Sequence, residues 1–270
     1  KCKANGCWGL MKLDTEQFGS GEPVLLIHGM GSAATAWKLI IPALSKTNLV
    51  ITVDLPGHGK SPMNFAQPMD PKYLAELVFR NMDELGIDKF HVVGNSLGGW
   101  VALEMAALKP ERIKSLLGVA PAGLWLTPFT TRTSARTRVL SRLVNPIAPF
   151  TVHFESLRKL GFERVSPLWR NFSHQTCLDA TRAMADAAGY YPAWDAMLKK
   201  RFNGKIPTTV PTTIIFGDAD NSLPAQSCQE RSLAPAHAKW IIFSECGHAP
   251  MWDHPEEVLI EINNLIGISN

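Results

Sequence analysis

Residues 90–100 read Phe-His-Val-Val-Gly-Asn-Ser-Leu-Gly-Gly-Trp, an apolar run that stops at a serine with a glycine two residues to either side. An apolar run followed by a helical pattern predicts a strand, a sharp turn and a helix, with Ser96 at the turn. We expect Gly94 and Gly98 where the chain passes too close to itself for side chains, and Ser96 at positive φ. Since a serine hydroxyl is a weak nucleophile unless a base reaches it, Ser96 is the first candidate catalytic residue.

Patterns of buried strands and amphipathic helices alternate on both sides of this stretch. Residues 24–27 form a continuous apolar run, and largely apolar segments predict further strands at residues 49–53, 113–119, 212–216 and 239–243. Helical patterns occur at residues 35–44, 71–85, 97–110 and 224–233 and from Pro255 onward. The alternation predicts an α/β fold with a doubly wound, mostly parallel sheet, to which residues 1–18 add one or two edge strands.

The alternation breaks between residues 121 and 205, which are rich in aromatic residues and helical patterns. We interpret this segment as an inserted helical cap, with residues 1–120 and 206–270 forming the core domain. The cap contains 13 Lys or Arg and 5 Asp or Glu. Two interpretations of its charge remain open. One is a solvated outer face, with arginines at helical spacing, and the other is attraction of acidic substrates or of an anionic surface.

Composition limits the class of protein. The 270 residues are 46% hydrophobic, enough for a sizeable core, and a net charge of +3 without a basic run gives no sign of a nucleic-acid partner. No apolar stretch approaches the ~18 residues of a membrane span, and residues 1–20 lack an apolar signal segment. Five cysteines, an odd number, favour reduced thiols and a cytoplasmic location, although Cys2 and Cys7 could pair. Because the chain does not begin with Met, this expectation covers only the residues present.

No cofactor or metal is expected, because no His and Cys residues cluster at ligand spacing. One alternative needs weighing: residues 29–34 satisfy the dinucleotide pattern G-x-G-x-x-G/A after a strand, and Asp54 ends the next strand, where it could bind a ribose. Against this, His28 occupies the strand end, and residues 54–61 form a turn-rich loop that no nucleotide fold requires. We therefore favour the hypothesis built on Ser96, with a small-molecule substrate and an oligomeric state left open.

Three chemically matched residues follow predicted strands at one edge of the sheet. Loops beyond the carboxyl ends of parallel strands converge there, which brings together Ser96, Asp220 and His248. A hydroxyl, an imidazole that takes its proton, and a carboxylate that orients the imidazole are the parts of a nucleophilic triad. Asp218 lies in the same loop as Asp220 and is the alternative acid.

These motifs give the chain a resemblance to the α/β-hydrolase fold superfamily. The resemblance rests on residues 28–31, 54–61, 94–99, 217–224 and 247–250, in that order. It implies a Ser96, Asp220 and His248 triad, with Asp220 favoured by a spacing that resembles G-x-x-D-x-x-x-P. It also implies an oxyanion hole formed by the backbone N–H groups of Leu97 and Met30, or of Gly31 if the loop is shifted by one residue.

The resemblance also suggests structural and pocket residues. His28 and His58 belong to structural turns in similar proteins and receive no catalytic role. For the substrate pocket we name a set of apolar side chains, each of which could equally be ordinary core: Met30, Trp100, Trp125, Leu223, Met251 and Trp252.

A serine rather than an aspartate at position 96 limits the reactions that we expect. Similar proteins that open epoxides or displace halides use an aspartate where this chain has Ser96, so those activities are not expected. We rank a small-molecule carboxylesterase first. Residues 94–96 and 252–254 also resemble C–C hydrolases of diketone-like meta-cleavage products, although residues 29–32 lack the Ser-Gly-Pro-Gly sequence common there, and this alternative ranks second. A third hypothesis, from another class, is a triad-containing small-molecule receptor or signalling protein.

Overall fold

The computed structural model of the chain describes residues 11–133 and 135–269. Seven strands in this part of the chain form one sheet in the order β1-β3-β2-β4-β5-β6-β7. Their bounds are Thr15–Phe18 (β1), Glu22–Ile27 (β2), Asn48–Val53 (β3), Phe90–Asn95 (β4), Ile113–Val119 (β5), Thr212–Gly217 (β6) and Lys239–Phe243 (β7). Strand β1 runs antiparallel to β3 at one edge, and the other neighbours are parallel.

The predicted fold class is confirmed. Strands β4 and β6 are buried along their whole length, as expected for parallel strands of a sheet that helices cover on both faces. Of the one or two edge strands expected in residues 1–18, β1 is present at the edge. The part of that expectation that concerns residues 1–10 lies outside the described residues, as does the pairing of Cys2 with Cys7.

Helices cover both faces of the sheet. Their bounds are Ile41–Leu44 (α1), Pro71–Glu84 (α2), Leu97–Leu108 (α3), Ala135–Val144 (α4), Ala148–Thr151 (α5), Glu155–Phe162 (α6), His174–Asp186 (α7), Tyr190–Met197 (α8), Ala225–Cys228 (α9), Pro250–Asp253 (α10) and Pro255–Ser269 (α11). Short 3₁₀ turns occur at Ala34–Trp37, Pro110–Arg112, Asn145–Ile147, Trp169–Asn171 and Arg231–Leu233. Helices α2 and α3 pack on one face of the sheet, while α1 and α11 pack on the other.

Two of the predicted helices are broken in the structure. Residues 35–44 form a 3₁₀ turn and then α1, whose first turn contains Pro42, a residue without the N–H that a continuous helix needs. Residues 224–233 form α9 and a second 3₁₀ turn. Glu230 separates them, because it is extended and its carboxylate accepts a hydrogen bond from the Ser232 N–H.

Helix α2 shows why helices could be predicted correctly where the sequence carries start and stop signals. Asp70 caps its start by accepting a hydrogen bond from the Tyr73 N–H, Pro71 occupies its first turn, and Gly86 follows its end at a φ of 71°. Its apolar face is buried against the sheet.

Helices α4 to α8 lie in the connection from β5 to β6, residues 120–211, which we call the β5–β6 connection. The division into a core of residues 1–120 and 206–270 and a cap of residues 121–205 remains a proposal. Across the described part of the chain, every helix is too short or too polar to traverse a lipid bilayer.

Candidate active site

Ser96 forms a one-residue turn between β4 and α3, with a φ of 53° and a ψ of −115°. This confirms the expected positive φ. The two flanking positions require glycine because any side chain there would clash with the backbone. A Cβ added to Gly94 would lie 2.2 Å from the Gly98 carbonyl oxygen, and one added to Gly98 would lie 2.4 Å from the Ile27 carbonyl oxygen. A backbone in this region costs about 1–3 kcal/mol, so neighbouring structure must hold it.

Hydrogen bonds from the next strand hold the strained turn. The Ser96 N–H donates to the Val119 carbonyl at 3.0 Å, and the Ser96 carbonyl accepts from the Ala122 N–H at 2.9 Å and from the Trp100 N–H at 3.1 Å. The end of β5 therefore fixes the main chain of Ser96 on one side, while α3 fixes it on the other.

His248 and Asp220 form a hydrogen-bonded pair. His248 Nδ1 lies 2.8 Å from Asp220 Oδ2, and Asp220 Oδ1 accepts from the N–H groups of Ser222 and Leu223, each at 2.8 Å. Burial alone would raise the pKa of the Asp220 carboxyl, but the charge and hydrogen bond of His248, with the two N–H groups, outweigh it and hold this pKa below its ordinary value. Asp220 is thus an ionised carboxylate that places the ring proton of His248 on Nδ1 and leaves Nε2 as an acceptor.

The other acid of this loop faces away from the imidazole. Asp218 is exposed, and its carboxylate accepts from the Cys246 N–H and the Ser244 hydroxyl, each at 3.2 Å. It therefore stabilises the turn before His248, whereas Asp220 contacts the ring itself.

A side chain next to Ser96 links the strand end to the histidine loop. Asn95 Nδ2 donates to the Val119 carbonyl at 3.0 Å and to the His248 carbonyl at 3.2 Å. Within residues 11–133 and 135–269, the Ser96 hydroxyl itself makes no hydrogen bond to His248. Such contacts are often long before substrate binds.

The N–H groups of Met30 and Leu97 are the implied oxyanion donors. Leu97 is the first residue of α3, where amides lack partners inside the helix, and neither N–H is bonded to another described residue. The peptide before Met30 is held by its carbonyl: Gly29 accepts from His28 Nδ1 at 2.7 Å and from the Ser32 N–H at 3.2 Å. The Gly31 alternative stays open.

The two buried histidines have structural contacts. His28 Nε2 accepts from the Leu55 N–H at 2.9 Å, and burial lowers the pKa of His28 to about 4. The ring of His58 lies 5.4 Å from that of His28, and burial likewise lowers the pKa of His58 to about 3. Both rings are therefore neutral at pH 7.

Asp54, the ribose ligand of the dinucleotide alternative, is occupied by protein groups. Its two carboxylate oxygens accept from the N–H groups of Ala34 at 2.7 Å and Lys60 at 2.8 Å. A 3₁₀ turn, Ala34–Trp37, follows the glycines where a dinucleotide fold would place a long helix. Asp54 thus ties two loops together.

A clamp that sequence reasoning missed surrounds the histidine loop. The His248 N–H donates to the Val165 carbonyl at 2.7 Å, and Asp253 accepts from the Gly247 N–H at 2.7 Å. The Ser166 hydroxyl donates to the other Asp253 oxygen. Burial raises the pKa of Asp253 despite these donors. The β5–β6 connection thereby contacts the candidate base directly, and the isolated residues Val165 and Ser166 carry no motif that could reveal it.

The predicted pocket residues lie in two groups. Trp100 and Trp125 pack edge to face with ring centroids 5.1 Å apart, and both are buried. Their indole N–H groups donate to the Glu104 carboxylate and the Lys200 carbonyl.

The second group follows the candidate acid and base along the chain. Leu223 is buried beside Asp220, and Met251 is buried among residues of α11. The indole N–H of Trp252 donates to the Ala36 carbonyl at 2.9 Å. Met30 is half-buried, while Met184 and Tyr190 of the β5–β6 connection cover the adjacent Gly31.

A cleft of about 160 Å³ opens near the Met30 loop. Its lining includes Ser32, Lys38, Ser173, Thr176, Asp179 and Trp252. Ser96 and His248 do not line this cleft. Of the predicted pocket residues, Trp252 is the one found among its described lining residues.

Metal-ligand groupings of three or more His, Cys, Asp or Glu are absent from the described residues. Cys177, Cys228 and Cys246 are buried free thiols. Burial raises the pKa of each thiol, which disfavours the reactive thiolate form.

Comparisons with known proteins agree with this architecture. The sequence profile of the alpha/beta hydrolase family matches residues 24–261. A pimeloyl-(acyl-carrier protein) methyl ester esterase of Aeromonas hydrophila subsp. hydrophila is 27% identical over 262 residues, which cover 95% of this chain and 100% of that protein. A 2-hydroxymuconate semialdehyde hydrolase of a Pseudomonas sp. is 26% identical over 254 residues, covering 87% and 83% of the two chains.

Among solved structures, a meta-cleavage product hydrolase of Pseudomonas fluorescens has the same fold, with a TM-score of 0.74 at 22% identity over 96% of this chain and 95% of that one. The resemblance drawn from the motifs is confirmed. Since the family profile extends over most of the chain and the sheet has the fold of these relatives, the protein belongs to the α/β hydrolase family and is a hydrolase.

Proposed function

We propose that this hydrolase cleaves small-molecule carboxylic esters through Ser96, His248 and Asp220. The observation that carries the proposal is the 2.8 Å contact between His248 Nδ1 and the buried Asp220, at the same sheet edge as the Ser96 turn. This contact leaves Nε2 as the proton acceptor, which the chemistry of a serine nucleophile requires.

The proposed reaction has two halves. Ser96 Oγ attacks the ester carbonyl carbon while its proton moves to His248 Nε2, and the negative oxygen accepts hydrogen bonds from the N–H groups of Leu97 and Met30. His248 then returns the proton to the departing alcohol, which leaves an acyl group on Ser96. A water molecule loses a proton to His248 and attacks this acyl group, so that the carboxylic acid is released and the free Ser96 hydroxyl is restored.

Asp220 acts through His248 in both halves. Its carboxylate stabilises the imidazolium that forms when Nε2 is protonated, and its two N–H donors keep the carboxylate in place. The similarity to an esterase named for a methyl ester supports a carboxylic ester as the substrate class. We further propose that Trp100, Trp125, Leu223, Met251 and Trp252 line the acyl pocket.

The test combines turnover and covalent labelling. The wild type and Ser96→Ala are incubated with short and medium p-nitrophenyl esters and, separately, with a fluorophosphonate probe; p-nitrophenol release and protein mass are measured. We expect turnover and a single probe adduct for the wild type and neither for Ser96→Ala, with a loss of about 10⁴- to 10⁶-fold. Equal activity of the two proteins would refute the mechanism.

A C–C hydrolase of meta-cleavage products is the second candidate. Two observations favour it: the 26% identity to a 2-hydroxymuconate semialdehyde hydrolase, and the resemblance of residues 94–96 and 252–254 to such hydrolases. The assay follows loss of the dienol absorbance of a ring-cleavage product. Labelling of Ser96 without ester turnover, together with this loss, would replace the ester proposal.

The receptor hypothesis makes a different prediction. A small molecule would raise the melting temperature of the protein without the release of any product. Turnover of any ester at more than a few molecules per minute excludes slow receptor-type hydrolysis as the main role.

A further inference from the structure

Helices α4 to α6 carry an apolar stripe that faces solvent. The stripe comprises Leu140, Leu143, Ile147, Phe150, Phe154 and Leu157, which are between 45% and 73% exposed. Leu140 and Leu143 lie three residues apart on α4, and Ile147 follows after four residues at the end of the adjoining 3₁₀ turn, as on one helix face. Phe150 lies on α5, and Phe154 and Leu157 lie at the start of α6. Single exposed apolar residues are ordinary, but six large ones within 18 residues of consecutive short helices mark a contact surface.

The stripe is not the core-facing side of these helices. Their inward side is formed by other residues: Ala148, Val152 and Phe162 are buried, the last two in a cluster with Phe172 and Cys177. In α5 and α6 the buried residues and the stripe therefore lie on different sides, and the cluster that contains Phe172 and Cys177 covers only the buried side.

Positive charge accompanies the stripe. Residues 135–164 contain six Arg or Lys and two Glu. Arg136, Arg142 and Arg164 are exposed and form no ion pair with the residues that the structure describes. The two Glu side chains of this segment already form ion pairs, Glu163 with Lys159 at 3.6 Å and Glu155 with Arg170 at 2.9 Å. The surplus charge beside the stripe is thus cationic and uncompensated.

We propose that the stripe docks on an anionic lipid surface and lies in the plane of the membrane interface. Large aliphatic and aromatic side chains enter the boundary between headgroups and acyl chains, and exposed arginines attract anionic headgroups. A second copy of this chain fits less well, because a twofold contact through the stripe brings unpaired arginines of like charge together. The helices that carry the stripe are all much shorter than a membrane span, so the contact is peripheral.

The test is flotation of the full chain with lipid vesicles. Vesicles of phosphatidylcholine alone and of phosphatidylcholine with 30 mol% phosphatidylglycerol are compared at low and at physiological salt. We expect binding to the anionic vesicles to be at least tenfold stronger than to the neutral ones and to weaken as salt rises. The proposal is independent of catalysis, so Ser96→Ala should float like the wild type.

Matched variants locate the contact. In Leu143→Glu with Phe150→Glu, vesicle binding should fall at least tenfold, whereas the control Phe65→Glu with Ile260→Glu replaces side chains that are 74% and 55% exposed elsewhere and should bind like the wild type. Arg136→Ser with Arg142→Ser keeps the stripe but should lose most of the preference for anionic vesicles. Since all of these side chains are exposed, melting temperatures should agree within a few degrees.

Three results would overturn the proposal. The first is no binding of the wild type to anionic vesicles, and the second is equal loss of binding in the stripe variant and in its control. The third is a wild-type dimer that the stripe variant converts to a monomer in sedimentation without lipid, because a second copy would then cover the stripe.

Discussion

Replacing Asp220 by Asn changes the atom that faces the imidazole while keeping the size of the side chain. Oδ1 of Asp220 is held by the N–H groups of Ser222 and Leu223, so in Asp220→Asn the new amide oxygen must take that place. The new NH₂ group then faces His248 Nδ1, which lies 2.8 Å from the carboxylate in the wild type. An amide donor at this position requires the ring proton on Nε2, which removes the acceptor for the Ser96 proton.

The size of the effect follows from the tautomer and the lost charge. The carboxylate is buried beside a ring that becomes cationic during the reaction, so both its orientation and its charge act in the transition state. Loss of the orienting carboxylate in a serine triad costs about 10⁴ in kcat, or about 5 kcal/mol of activation free energy. We therefore expect kcat to fall by about 10³- to 10⁴-fold in Asp220→Asn while KM changes little.

The assay is steady-state hydrolysis of a p-nitrophenyl ester, with the rate of fluorophosphonate labelling as a second readout. Asp218→Asn is the matched control, because this exposed carboxylate in the same loop is hydrogen-bonded by the Ser244 hydroxyl and by backbone N–H groups such as that of Cys246, and not by the His248 ring. It should keep kcat within about threefold of the wild type, as surface substitutions usually do. A larger loss in Asp218→Asn than in Asp220→Asn would refute the assignment of the acid, and unchanged activity in both would refute the triad.

Three further predictions concern stability and the histidine loop. Gly94→Ala should lower the free energy of unfolding by more than about 3 kcal/mol, because its Cβ would lie 2.2 Å from a backbone oxygen, while Gly161→Ala, with nothing within 4 Å, should be neutral or stabilising in denaturant melts. His58 has a pKa lowered by burial to about 3, so below pH 6.5 the unfolded chain binds a proton that the folded chain does not. Stability should therefore fall as pH drops from 6.5 toward 3, by roughly 3–5 kcal/mol from this group, and the fall should be shallower in His58→Gln. Ser166→Ala should reduce kcat about tenfold with little change in KM, and Ser166→Thr should restore it; unchanged kcat in Ser166→Ala would show that the clamp does not position His248.

Much of the fold was predictable because local sequence and buried environment agree. Strands β5 and β7 begin and end at the predicted residues, since their apolar runs are bounded by polar or turn residues. The helix predictions failed where an apolar helical pattern continues across a local break in the main-chain hydrogen bonding. The breaks near Pro42 and Glu230 depend on a missing N–H and on a side-chain hydrogen bond, neither of which a hydrophobic period records.

Some residues of the candidate site could be predicted from the sequence and others could not. Ser96 and His248 stand in glycine-flanked turns that the sequence displays, and the positive φ of Ser96 was predictable from them. The choice between Asp218 and Asp220 needed a family spacing, because both follow the same strand and only the path of the loop decides which carboxylate faces the ring. The support from Asn95 was invisible in sequence, since its partner His248 lies 153 residues away.

The support around His248 joins two parts of the chain that the sequence presents as separate. Its carbonyl is held by Asn95 at the end of β4, and its N–H by Val165 in the β5–β6 connection. A Cβ on Gly247 would lie 2.1 Å from the Val165 oxygen, so the connection and the loop are in backbone contact. Any displacement of the connection therefore moves the candidate base or breaks its hydrogen bond. The docking proposed above involves helices of this same connection, and Val165 follows α6 by only a few residues. The proposed membrane contact and the candidate base therefore share one continuous segment of structure. Ester turnover by the wild type should change when anionic vesicles are added, while that of the stripe variant should not.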